Sequence, residues 1–195
     1  MTVARRGRSV SVLGFLLAGA VGIISSTQTW LTVERADGGE AILVPGASAQ
    51  VLLAPLSLAV LALGAALAIA ARPLRVVFAV LAGAAAAFLL WSTVGVLVAP
   101  AAAVGPAVTE ATGLAGGDAL DDLVRTISPS AWPFIALIGW GLLLAASVFA
   151  LATWRGWKAG GRRYRSESTA TGHGDGPVDA VDSWDDLSRG TDPTR

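Results

Sequence analysis

The chain has 195 residues, 54% of them hydrophobic and 14% charged, with zero formal net charge. Soluble domains carry roughly 25% charged residues. Here the few charges crowd the N-terminus, three connectors and the tail, a pattern that describes an integral membrane protein and excludes an ordinary soluble core. Cysteine is absent, so no disulfide, thiolate nucleophile or thiolate metal site exists. The single histidine, His173, lies in a polar tail, which leaves none for a metal site or catalytic dyad inside the membrane. No cofactor, metal or nucleic-acid partner is expected.

A helix needs about 20 apolar residues to cross about 30 Å of hydrocarbon. Four segments qualify, at about residues 10–30, 50–71, 74–99 and 131–153. The expected fold is therefore all-α: a four-helix transmembrane bundle over residues 10–157, after a basic N-terminus (1–9) and before a tail (158–195). Helices are favoured over a barrel because the runs lack alternation and lipid offers no partner for free backbone groups. Pro55 and Pro133 fall in opening turns, where a missing N–H costs least. Arg72-Pro73 predicts a tight hinge, because a residue before proline is biased out of the α region. Arg72 and Arg75 mark that boundary, and the apolar runs otherwise hold no Asp, Glu, Lys, Arg or His. Small residues four apart (Gly14, Ala18, Gly22; Ala79, Gly83, Ala87) suit close helix packing.

Basic residues set the orientation. Arg5, Arg6, Arg8, Arg72, Arg75, Arg155, Lys158, Arg162, Arg163 and Arg165 fall on one side if every span crosses. The opposite connectors hold Arg35 and Arg125 against seven acidic residues: Glu34, Asp37, Glu40, Glu110, Asp118, Asp121 and Asp122. Ten against two places both termini in the cytoplasm of a multi-pass plasma-membrane protein. A cleaved signal peptide ending near Ala18-Gly19-Ala20 is the competing reading of the first span.

In the first outer connector, Thr32-Val33 and Ile42-Leu43-Val44 are expected to pair as short strands around Asp37-Gly38-Gly39. In the second, residues 100–130, Pro106 and Gly113 are read as breaks. From Asp118 onward, Leu120, Leu123, Val124 and Ile127 fall at helical spacing, which predicts a short amphipathic outer helix capped by Asp118. The tail is expected to be mostly disordered, with a short motif at 182–194.

An ionisable residue at membrane depth would be the default functional site, and the patterning supplies no pair for acid–base work. Polar and aromatic residues remain. Gln28, Trp91, Ser92, Thr93 and Trp140 are candidates for a small ligand pocket in the outer half. Trp30 and Trp132 read as interfacial-belt residues, with Trp154 and Trp157 as their inner counterparts. Trp184, Asp185, Leu187, Arg189, Asp192 and Pro193 are candidates for docking a cytoplasmic partner.

An Arg-rich start, Gln28-Thr29-Trp30 closing the first span, Arg162-Arg163-Tyr164, and the tail Trp184-Asp185-Asp186-Leu187-Ser188-Arg189-Gly190-Thr191-Asp192-Pro193-Thr194 occur in that order. Together they make the chain resemble the tryptophan-biosynthesis-associated membrane protein family of actinobacteria. Ser188 and Thr191 stand where that family usually has acidic residues. The resemblance implies a pathway association without an established activity. Two functions follow as expectations. One is a non-enzymatic accessory or scaffold protein whose tail docks a tryptophan-pathway enzyme. The other is a small transporter or sensor for tryptophan or an aromatic precursor, which four short spans would form as a homo-oligomer or with a partner.

Overall fold

The computed structural model describes residues 3–113 and 123–156. The chain divides into two units, Met1–Ala159 and Gly160–Arg195; the second, with the expected tail motif, lies outside the described residues. The helix α1 (Val3–Thr27) is followed by strands β1 (Thr29–Arg35) and β2 (Ile42–Pro45) and a single turn, α2 (Gly46–Ala49). Then come α3 (Leu53–Ile69), α4 (Arg72–Val98), α5 (Pro100–Thr112), β3 (Val124–Pro129) and α6 (Trp132–Thr153), which ends in a 3-10 turn at Trp154–Gly156.

Among the described residues, three helical stretches are long and apolar enough to cross a membrane: Gly7–Thr27, Pro73–Val98 and Trp132–Thr153. The fourth apolar helix, Leu53–Ile69, is shorter, at 17 residues. Packing centres on α1 and α6. Helix α1 lies against α3 and α6, α4 lies against α6, and α3 and α4 touch more sparsely. The spacing of small residues explains these contacts. A Cβ on Gly14 would meet Ala146, one on Gly19 would meet Leu61, and one on Gly64 would meet Phe15. Phe15, Val60, Leu67, Leu89, Trp140 and Leu143 fill the core, all fully buried.

The turn between α3 and α4 falls one or two residues before the expected hinge. Ala70 and Ala71 carry the extended backbone, and α4 begins at Arg72. Pro73 sits in the first turn of α4, where its fixed φ suits the helix and its missing N–H is not needed. Arg75 is therefore inside α4 rather than in a connector. It is only 3% exposed, and its Nε donates to the Ala70 carbonyl at 3.0 Å.

The largest correction concerns the second connector. Residues 114–122, including Asp118 and Leu120, lie outside the described residues, but Val124 and Ile127 belong to a strand, not a helix. This strand pairs antiparallel with β1, Val33 opposite Ile127 and Thr32 opposite Ser128. The result is a three-stranded sheet in the order β2-β1-β3. The three-residue offset between Val124 and Ile127 fits a helical stripe. However, β-branched residues suit a strand, and β1 offers them an unpaired edge. A helix is present earlier in the connector, and the expected helix from Asp118 lies mostly outside the described residues, with Leu123 helical. Helix α5 starts at Pro100, runs through Pro106 and stops at Gly113, whose φ of +72° forms a left-handed C-cap. Val104 and Val108 bury its inner face against the sheet and α2.

The expected hairpin is present, with Thr32 opposite Leu43 and Val33 opposite Ile42. Its tip is tied by Asp37, which accepts from Arg35 Nε and from the Gly39 N–H, both at 3.0 Å. The Arg35 bonds and the Gly39 N–H hold the Asp37 carboxyl below the usual range, and Asp37 raises Arg35 in turn.

Candidate functional site

The polar groups of the bundle gather where helix gives way to sheet. Between Thr29 and Leu31 the register of β1 on β2 shifts. Trp30 is the extra residue of this bulge, so Trp30 and Leu31 are buried in succession where strict alternation would expose one. The bulge directs the Trp30 indole back toward the end of α1. Its Nε1 donates to the Ser25 carbonyl at 3.0 Å and to Ser25 Oγ at 2.9 Å. Trp30 is thus a fully buried strut and not a belt residue. Gly46 abuts the same point, since a Cβ there would lie 2.7 Å from both the Ser25 carbonyl and Trp30 Nε1. Ser130 ties in α6: its hydroxyl donates to the Thr29 carbonyl at 2.6 Å and accepts the Trp132 N–H at 3.2 Å.

One turn deeper, Thr93 Oγ1 donates to Gln50 Oε1 at 3.1 Å and joins α4 to the segment entering α3. Thr93 is fully buried and Gln50 is 5% exposed. The amide Nε2 of Gln50 has no partner among the described residues. Beside this layer Trp140 packs over Gly22 and Ser57. Its indole Nε1 is likewise buried without a partner among the described residues. Ser57 satisfies its own hydroxyl on the Leu53 carbonyl at 2.6 Å.

The five pocket candidates do not share one cavity. Thr93 and Trp140 are interior, whereas Trp91 projects outward at 82% exposure. Trp91 and Ser92 line a separate surface crevice of about 430 Å³ in the angle between α4 and α5. Gln28 is half-buried at the end of α1, its Nε2 directed to Thr27 Oγ1 at 3.4 Å. Sequence reasoning missed Gln50 and Ser130. Gln50 opens the second apolar run, and its separation of 43 residues from Thr93 leaves no local signal. The six docking candidates from Trp184 to Pro193 lie outside the described residues. Among the described residues no three His, Cys, Asp or Glu side chains group as metal ligands.

Residues 12–194 match the profile of the tryptophan-associated transmembrane protein family. The chain belongs to that family. The match extends from the first span to one residue before the C-terminus, so bundle and tail both fall inside it. The family has no known function. No curated protein and no solved structure matches the chain.

Proposed function

We propose that this family member is a non-enzymatic accessory protein of tryptophan biosynthesis. It crosses the plasma membrane four times with both ends inside, and it docks a cytoplasmic pathway enzyme through Trp184, Asp185, Leu187, Arg189, Asp192 and Pro193. The four-span topology draws support from the level of α3. Gly64 meets Phe15, Gly19 meets Leu61 and Gly22 meets Ser57, so α3 runs antiparallel to α1 along the same depth. Its 17 residues span about 26 Å at 1.5 Å each, close to the hydrocarbon thickness. The basic residues at one end and the acidic connectors at the other orient the bundle.

The observation that carries the docking role is the reach of the family match through the tail to residue 194. A bundle whose centre is filled by Phe15, Leu89, Trp140 and Leu143 fits a platform better than a conduit. Crosslinking in native membranes tests the role directly. The full chain should capture a tryptophan-pathway enzyme that a chain lacking residues 182–195 does not. An unchanged set of captured proteins contradicts it.

The indole N–H of Trp140, buried without a partner among the described residues, favours a second reading, a transporter or sensor for tryptophan or an aromatic precursor, acting as a homo-oligomer. Equal uptake, efflux and binding of labelled tryptophan with and without the protein would remove it.

A further inference from the structure

The crevice between α4 and α5 combines three features. It opens beside the end of a span, it carries an exposed indole, and a proline inside α5 thins the helical hydrogen bonding around it. Pro106, inside α5, has no N–H for the Ala102 carbonyl. Val96 and Ala102 both line the crevice, together with Ser92, Trp91 and Phe88. The site therefore offers a carbonyl oxygen without its helical donor, a hydroxyl and an aromatic face, and no cation among its lining residues. A hydrogen-bond donor bearing positive charge complements such a set, because an ammonium can donate to carbonyls and lie over an indole. Below the crevice, Val77 and Leu81 present an exposed apolar face along α4, suited to acyl chains.

We infer that this crevice holds the ammonium headgroup of a phospholipid in the leaflet at the sheet end of the bundle. The inference rests on α4 crossing the membrane, which labelling of the α3–α4 turn tests independently. Native mass spectrometry of the purified full chain, offered phosphatidylethanolamine and phosphatidylglycerol in equal amounts, tests the site. The protein should retain the ethanolamine lipid about tenfold over the glycerol lipid, combining a cation–π contact with charge-assisted hydrogen bonds. Ala102→Phe, on an exposed position, should fill the crevice and abolish the preference. Pro106→Ala restores a donor to the Ala102 carbonyl and should lower the preference about threefold, the equivalent of one weakened hydrogen bond. Equal retention of the two lipids by the wild-type chain overturns the inference. So does a preference that survives both substitutions.

Discussion

Trp30 donates its indole N–H to both the carbonyl and the hydroxyl of Ser25, and this pair locks the end of the first span to the first strand. Trp30→Phe keeps an aromatic ring but removes the N–H shared by the Ser25 hydroxyl and carbonyl, leaving the carbonyl only the Gln28 N–H, at an expected cost of about 1–3 kcal/mol. Trp30→Ala also opens a cavity, at about 3–5 kcal/mol. Thermal unfolding in detergent should rank wild type above Trp30→Phe and Trp30→Phe above Trp30→Ala. Equal midpoints for wild type and Trp30→Phe would show that the two hydrogen bonds contribute nothing.

The close approach of three helices at Gly22 gives a paired prediction. A Cβ at Gly22 would overlap the Ser57 hydroxyl and the Trp140 ring, whereas one at Gly95 would meet nothing within 4 Å. Gly22→Ala should therefore destabilise the bundle by about 1–3 kcal/mol through overpacking. Gly95→Ala should stabilise α4 by up to about 1 kcal/mol through helix propensity. The opposite order in a thermal melt would mean that α1 does not pack on α3 and α6 as described.

Gln50 and Thr93 form a buried polar link between elements far apart in sequence. Thr93→Val leaves the Gln50 amide with neither end paired and should cost about 1–3 kcal/mol, while the double change Gln50→Leu, Thr93→Val should recover most of that loss. A double-mutant cycle reads the coupling. Additive single effects would dissolve the link.

Much of the bundle was legible because a membrane span writes itself as an uninterrupted apolar run. The hairpin was legible too, since Asp37-Gly38-Gly39 marks a turn between two short β-branched stretches. The third strand was not: Val124 and Ile127 sit three residues apart, and only the free edge of β1 decides between strand and helix. Helix α5 was hidden because Pro106 and Gly113 read as breaks, although Pro100 at the first helical position begins a helix and Gly113 only ends it. Trp30 was assigned to the belt because tryptophan near a span end usually belongs there; the bulge that turns it inward depends on pairing with β2. Of the pocket candidates, Trp91 and Trp140 look alike in an apolar run, and helix rotation alone sends one outward and the other into the core.

The hairpin tip carries a pH dependence. Hydrogen bonds from Arg35 and Gly39 lower the Asp37 carboxyl, so its contribution is complete above the ordinary carboxylate pKa. It is lost as pH falls through the depressed folded value. Hydrogen exchange at the Gly39 amide, measured against pH, should show protection near neutrality that fades only below about pH 4. Asp37→Asn should remove the pH dependence. A Gly39 amide equally exposed at pH 7 and pH 3 would contradict the tie.

The central claim is a four-span bundle with the sheet outside and both ends inside, and the absence of cysteine makes it directly measurable. Single cysteines at positions 38, 71 and 166 can be labelled in intact cells with a membrane-impermeant maleimide. The account predicts labelling at 38, in the hairpin tip, and protection at 71 and 166 until the membrane is opened. Labelling at 71 from outside would show that α3 does not cross, and labelling at 166 would place the tail on the wrong side to meet a cytoplasmic enzyme.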